Sequence, residues 1–403
     1  MNVLDASAKR DCTSCQLCAT VCAHDSITIE LNEDGFYRPV IDVDKCSDCG
    51  LCTKVCYKFD DEPRMSTPER LARTQLYSAW SNDDELVHNT TSGGIGDMLA
   101  HELLKQGYKV VGCVYNPEKV RAEHRIATTE EELISFRGSK YIQSYNFDAF
   151  KEVVKNCRQE RYAVFGSPCQ IYALGKVAEM KKVRDQFFFV DFFCHGCPSL
   201  YAWTKYHDYL KEKTGVMAFD KVEFRSKVKG WGAFIVAVYS EGRKLYNSSN
   251  NLKGFYDLFF CDQILNEGCN KCQLRGTLEY TDIRMGDFWG KKFLDNTRGV
   301  SGISVVTCRG REVFEAINAQ DVTSSLCDYK DFLPWQSYGK VHHPNPAARE
   351  AILGSLKDSS QDVWDACKVV YRTQTFKERV KRYVKNVLAL FPIDVINRIK
   401  KVM

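Results

Sequence analysis

Cys12-Thr13-Ser14-Cys15-Gln16-Leu17-Cys18-Ala19-Thr20-Val21-Cys22 is answered by Cys46-Ser47-Asp48-Cys49-Gly50-Leu51-Cys52-Thr53-Lys54-Val55-Cys56. Both stretches follow the spacing C-x2-C-x2-C-x3-C, and two copies in one chain are hard to obtain by chance. In each, the first three cysteines fall on a tight loop that offers three thiolates to one face of a cubane. The fourth opens a helix aimed at the other cluster. That exchange assigns Cys12, Cys15, Cys18 and Cys56 to one 4Fe-4S cluster and Cys46, Cys49, Cys52 and Cys22 to a second. Zinc shares the Cys-x2-Cys spacing, but a tetrahedral ion takes four ligands, whereas each run offers three closely spaced thiolates plus one.

Between the runs, Ile27-Thr28-Ile29-Glu30-Leu31 alternates apolar and polar, Asn32-Glu33-Asp34-Gly35 supplies turn chemistry, and 37–43 alternates again. A β-hairpin is expected there. Residues 1–60 therefore read as a two-cluster module of bacterial ferredoxin type. Ala23 and Tyr57 stand after the fourth cysteines where such modules usually carry proline, which touches the turn and the potential more than the ligation.

With 403 residues, 44% hydrophobic and 27% charged, the chain has room for one small and one large globular domain. No low-complexity tract marks it as disordered. No apolar stretch reaches the ~18 residues of a membrane span, and the first cysteine run begins too early for a signal region. A cytosolic setting is expected, in which the 19 cysteines favour metal ligation or free thiols over disulfides.

Beyond the module, 57–75 reads as a linker. Strand-like runs follow at 109–115, 162–165, 187–193, 233–239 and 303–308, with helical periodicity at 97–106, 148–158, 171–184, 200–213 and 311–318. The order gives an α+β or mixed α/β fold and no clean doubly wound repeat. Thr91-Ser92-Gly93-Gly94 at a helix start offers backbone N-H groups and a hydroxyl where a phosphate would bind, or is a plain glycine-rich turn. Phe136-Arg137-Gly138-Ser139-Lys140-Tyr141-Ile142-Gln143-Ser144 combines small residues, cations and an amide.

Four further cysteines, Cys169, Cys194, Cys269 and Cys272, sit at loops beside glycine or proline and have the chemistry for a third 4Fe-4S cluster. The alternative is a set of buried thiols acting as small hydrophobes, a reading that fits Cys113, Cys157, Cys308, Cys327 and Cys367 inside apolar segments. Cys197 and Cys261 fit either description.

Taken in order, Ser92-Gly93-Gly94, Gly138-Ser139-Lys140-Tyr141 with Gln143-Ser144, Ser167-Pro168-Cys169-Gln170, Cys194-His195-Gly196, Cys269-x2-Cys272 and Asp282 through Gly290 resemble the coenzyme F-420 hydrogenase/dehydrogenase beta-subunit family. The resemblance covers roughly residues 1–310. It implies FAD beside 4Fe-4S clusters, with Ser92, Gly93, Gly94, Gly138, Ser139, Lys140, Gln143 and Ser144 lining the flavin site and Asp287 and Trp289 near the cofactors. Its members include deazaflavin-oxidising subunits, ferredoxin-dependent reductases and bacterial relatives tied to surface-polysaccharide synthesis.

The expected organisation is a ferredoxin module over 1–60, a flavin-binding domain over 76–310, an extension over 311–375 and a tail over 376–403. The expected function is an iron-sulfur flavoprotein oxidoreductase moving electrons between a one-electron carrier and a small-molecule hydride donor or acceptor. That carrier is a redox partner protein or a quinone-linked carrier. The organic substrate is coenzyme F-420 or a substrate of surface-polysaccharide synthesis. His195 is a candidate proton donor, or else a hydrogen-bonded structural histidine beside a cluster. The rival is a non-catalytic electron-transfer subunit that docks a partner enzyme. Nucleic-acid binding lacks any recognition motif.

Residues 376–403 hold eight cations against Glu378 and Asp394, so the tail carries +6 and the rest of the chain −2. Phe376, Val380, Val384, Val387, Leu388 and Phe391 recur at helical spacing. Such a helix suits peripheral contact with the inner face of a membrane, or packing on the protein's own core with a solvated basic face.

Overall fold

The computed structural model describes residues 2–3, 11–60, 66–248, 254–388 and 391. In the N-terminal module, short helices Leu17–Thr20 and Leu51–Lys54 start within the two cysteine runs, each from a left-handed residue, Gln16 and Gly50. Between them β1 (Ile27–Leu31) and β2 (Tyr37–Ile41) form the antiparallel hairpin, with Ile27 opposite Ile41.

The larger part is built on β3 (Gln75–Ser81), β4 (Lys109–Asn116), β5 (Arg121–Ala127), β6 (Ser144–Tyr145), β7 (Tyr162–Phe165) and β8 (Phe187–Phe192). A separate three-stranded sheet holds β9 (Lys221–Glu223), β10 (Ala237–Ser240) and β11 (Arg243–Asn247). Then β12 (Ile283–Asp287), β13 (Ser301–Val305) and β14 (Val322–Cys327) complete a nine-stranded sheet of order β14-β3-β13-β12-β8-β7-β4-β5-β6. Its middle strands β12, β8, β7 and β4 are parallel, while β4 pairs with β5, and β13 with β12 and β3, antiparallel. Parallel strands are covered on both faces, so Phe187-Phe188-Phe189-Val190 is a continuous buried run. The mixed α/β class is the one expected from the sequence.

Three boundaries differ from expectation. The stretch read as a linker contains the helix Pro68–Arg73, started by Pro68 at its first turn and the Thr67 cap. The strand expected to run to Cys308 stops at Val305, because Thr307 caps a helix that begins at Cys308. Cys308 is consequently exposed rather than a core thiol. The run 233–239 joins a sheet only from Ala237, since the Ile235 carbonyl accepts from Ser226 and the Val236 amide donates to the Ser248 hydroxyl.

The module does not hang free of the large sheet. Leu17 and Val55 share a core with Phe150, Val153, Ile171 and Leu174, and Tyr37 belongs to the aromatic core around Trp203, Tyr206 and Phe255. Two glutamines stitch the seam. Gln16 donates to the Ser144 carbonyl (2.9 Å) and accepts from the amides of Asn146 (2.9 Å) and Phe147 (3.2 Å). Gln143 donates to the carbonyls of Gly35 (3.0 Å) and Pro198 (3.1 Å) and accepts from the Tyr37 amide (3.3 Å).

At the C-terminus, the helix Phe376–Leu388 leaves its apolar side chains in solvent: Phe376 is 83% exposed and Tyr383 70%, with Val380, Val384 and Val387 also exposed. Packing of this face on the protein's own core is therefore overturned for the described residues. Arg382 instead lies over the Tyr371 ring at 3.8 Å. Apart from Phe391, residues 389–403 lie outside the described part.

Gln143→Ala leaves the buried Tyr37 amide and Pro198 carbonyl unpaired, so it should lower stability by about 2 kcal/mol. Thermal unfolding of the purified chain checks this, and an unchanged midpoint would mean that the seam is held by apolar contact alone.

Candidate redox centre

Each loop that carries three cysteines of a run closes on the fourth of the other. Cys12, Cys15, Cys18 and Cys56 line one cavity, and Cys22, Cys46, Cys49 and Cys52 line a second. Burial, then neighbouring sulfurs, push the thiols of Cys15 and Cys18 well up. Burial also raises Cys56 to about 11. Thiolates gathered in a desolvated site are costly unless a cation or metal centre neutralises them, so the donor set fits a cluster. Cys18 feels Cys52 of the second group, which places the two cavities side by side.

A third group forms beyond the C-terminal ends of the central strands β7 and β8. Cys169 stands in the first turn of the helix Pro168–Lys181, Cys194 just beyond β8, and Cys269 and Cys272 on the loop that precedes β12. Burial, then the mutual repulsion of these sulfurs, raises Cys194 to about 12 and Cys169 higher still. Cys197 joins them: it shares a hydrogen bond with Cys269 that holds the Cys269 thiol down and its own up. Its Cys-x2-Cys spacing from Cys194 was the available signal for this fifth sulfur. Cys261 stays apart, bonded to the Leu258 carbonyl. Arg275 fixes the loops around the group, donating to the carbonyls of Cys194 (3.1 Å), His195 (2.9 Å) and Cys269 (2.7 Å).

The third group abuts the first. Cys15 feels Cys169, and the Tyr57 hydroxyl reaches Cys272 Sγ at 3.6 Å. A Cβ on Gly268 would fall 2.6 Å from the Asp11 carbonyl oxygen and 2.7 Å from that of Cys12, so only glycine lets this loop meet the first cysteine run.

His195 has both ring nitrogens engaged, Nε2 with Asp262 (2.7 Å) and Nδ1 with Ser337 (3.2 Å). Asp262 also meets His342 (3.2 Å) and Lys340 (3.1 Å). Burial opposes the Asp262 charge, but the bonds from the two histidines hold its carboxyl well below the usual range. Burial lowers His195 against the opposing pull of Asp262, and both of its ring nitrogens are spent inside this network.

The residues expected around a flavin divide into two places. The first surrounds the start of the helix Ile95–Lys105. Ser92 donates to the Val300 carbonyl (2.8 Å), the Gly93 amide to Ser301 Oγ (3.0 Å), and the Ser139 amide to Thr91 Oγ1 (2.6 Å), which draws the 138–139 turn to the 91–94 loop. Gly93 is required by packing, since a Cβ there would lie 2.5 Å from the Ala79 carbonyl. Lys140 folds back on the carbonyls of Ser135, Phe136 and Arg137, and burial lowers it to about 8. Gln143 and Ser144 lie instead in the seam with the N-terminal module.

Beside the 91–94 loop sits a polar clamp that sequence reading caught only at Asp287 and Trp289. Arg225 pairs with Asp287 (2.5 Å) and Tyr141 (3.1 Å), Trp231 donates its indole N-H to Asp287 (2.8 Å), and Trp231 stacks on Trp289 at 4.7 Å. Arg225 Nε is buried without a partner among the described residues. Lys227 donates to the carbonyls of Ser92 (2.7 Å) and Val87, and burial lowers it to about 7. A desolvated lysine and an orphaned guanidinium N-H beside backbone amides suit an anionic group.

Residues 11–58 match the 4Fe-4S dicluster domain, 76–151 the N-terminal part and 159–326 the C-terminal part of the coenzyme F420 hydrogenase/dehydrogenase beta subunit. The chain is 27% identical over 271 residues to the coenzyme F420 hydrogenase subunit beta of Methanococcus voltae, covering 62% of this chain and 86% of that protein. A chain of the F420-reducing [NiFe] hydrogenase complex from Methanosarcina barkeri aligns at 19% identity over 74% of this chain and 90% of its own, with a TM-score of 0.45. The two halves of one family signature in order, behind a dicluster module, make this chain an iron-sulfur protein of oxidoreductase type that belongs to the coenzyme F420 hydrogenase/dehydrogenase beta-subunit family.

Proposed function

We propose that the chain exchanges electrons between a redox partner protein and a small organic hydride donor or acceptor. Two 4Fe-4S clusters would be held by the N-terminal cysteines, a third by Cys169, Cys194, Cys269 and Cys272, and FAD by the loops at 91–94 and 138–139. Clusters supply one-electron steps and FAD the two-electron hydride step. The observation that carries this reading is the contiguity of the three cysteine groups, Cys52 by Cys18 and Cys15 by Cys169. An unbroken series of this kind serves transfer from the surface to a buried site.

The chain's own residues would do the rest. Arg225 and Lys227 would hold the negative charge of a diphosphate or of a reduced ring, and Asp287 and Trp231 would keep Arg225 oriented. The substrate class follows the relatives' name, coenzyme F420, with an intermediate of surface-polysaccharide synthesis as the other candidate. Metal, sulfide and flavin analysis of the anaerobically prepared chain tests the reading. About twelve iron and twelve acid-labile sulfide with one FAD are expected. About eight iron without flavin would favour a non-catalytic docking subunit.

A second reading concerns the tail. No described helix is long and apolar enough to cross a membrane. The exposed Phe376, Val380, Tyr383 and Val384, beside Lys377, Arg379 and Lys381, would suit the surface of an anionic bilayer, each cation contributing about 1 kcal/mol. The whole chain should sediment with anionic vesicles at low salt and release at high salt, whereas a chain ending at Thr375 should stay in solution. Equal, salt-insensitive failure of both to bind would leave the helix as structure or a protein-docking element.

The charge state of Lys227 gives a pH dependence. Burial has lowered it to about 7, so it is cationic below that pH and neutral above it. Affinity for FAD, read by fluorescence, should therefore weaken as pH rises from 6 to 8.5, and Lys227→Met should flatten the profile. A steep profile retained in that variant would move the anion site elsewhere.

A further inference from the structure

Tyr57 lies where the first and third cysteine groups meet, and its hydroxyl reaches a cysteine of the third. It follows Cys56 directly in the chain, and its ring is 2% exposed, edge-on to Tyr172 at 5.9 Å. The hydroxyl lies 3.6 Å from Cys272 Sγ and 3.5 Å from the Gly268 carbonyl. A phenol carries its proton at neutral pH, so the hydroxyl is a donor to whichever acceptor it faces.

Donors to cluster sulfurs raise a cluster's reduction potential, because the reduced form carries one more negative charge spread partly onto its thiolate ligands. In a desolvated site this interaction is poorly screened. Tyr57 has one proton and two acceptors, and a thiolate that gains charge on reduction is the acceptor that strengthens. Burial of the ring against Tyr172 leaves the donor little freedom to swing away.

Resting on the third-cluster reading above, we propose that Tyr57 is a positioning residue whose hydroxyl, bonded to Cys272, sets the reduction potential of the iron-sulfur centre in the large domain. The neighbouring tyrosine provides a contrast. Tyr172 is as buried, but its hydroxyl bonds Asp60 at 2.5 Å and no cysteine.

The test is an EPR-monitored redox titration of the anaerobically reconstituted full chain, with the third signal assigned as the one lost in Cys272→Ser. Tyr57→Phe keeps the ring and removes the donor, so iron content should be unchanged. The midpoint of the third signal should shift to more negative potential while the two N-terminal signals stay in place, and Tyr172→Phe should shift none. A third signal that does not move in Tyr57→Phe, or that moves equally in Tyr172→Phe, would overturn the proposal. So would loss of iron in Tyr57→Phe, which would make the residue scaffold. An unaltered chain with iron for only two clusters would instead overturn the reading beneath it, before Tyr57 is touched.

Discussion

The close approach of the loop around Gly268 to the backbone of Asp11 and Cys12 is the constraint on which the rest depends. With any side chain at 268, the first cysteine run and the Cys269–Cys272 loop would be forced apart, and Tyr57 would lose Cys272. The same contact is reinforced from both ends. Asn266 donates to Ser14 and accepts from Arg38, while Gln16 and Gln143 satisfy backbone groups across the seam. Buried amides paired only across an interface make separation expensive, because each loses its partner where water does not replace it. The N-terminal module is thereby a wall of the larger redox centre.

Electrostatics points the same way. In the first and third groups Cys15, Cys56 and Cys194 are raised by burial and by neighbouring sulfurs, while Arg275 donates to the Cys194 and Cys269 carbonyls beside the third. Such a set is neutral when protonated and releases protons as it takes up a metal centre, so loading would be favoured at higher pH. Beside the 91–94 loop the polarity reverses: Arg225 and Lys227 are desolvated basic groups, only the first of which has a carboxylate in direct contact. Sulfur groups and cation clamp are built on loops around one sheet, Cys194 after β8 and Asp287 at the end of β12.

The local parts were legible from sequence because they depend on spacing. The cysteine runs, the hairpin and the buried strands β7 and β8 each carry a period or a fixed interval that survives without tertiary context. The third group was legible as four loop cysteines beside glycine or proline, yet Cys197 was not separable from a packing thiol, since its partner Cys269 lies far off in the chain. Gln143 and Ser144 show the opposite case. Their motif pointed to a cofactor, whereas in the fold Gln143 bonds Gly35, Tyr37 and Pro198, the Ser144 carbonyl accepts from Gln16 and its hydroxyl from Gln170. Arg225, Lys227 and Trp231 carried no signal, because a cation and an aromatic gain meaning only when the fold brings them to Asp287.

The proposed relay requires three iron-sulfur clusters within magnetic reach of one another. The most direct measurement is the EPR spectrum of the fully reduced chain, recorded at several temperatures. Neighbouring paramagnets interact, so a broadened composite spectrum is predicted, one that simplifies to the coupled pair of N-terminal clusters when Cys169 and Cys272 are replaced by serine. Three independent signals that add without interaction, or a chain that holds zinc and no sulfide, would contradict the account.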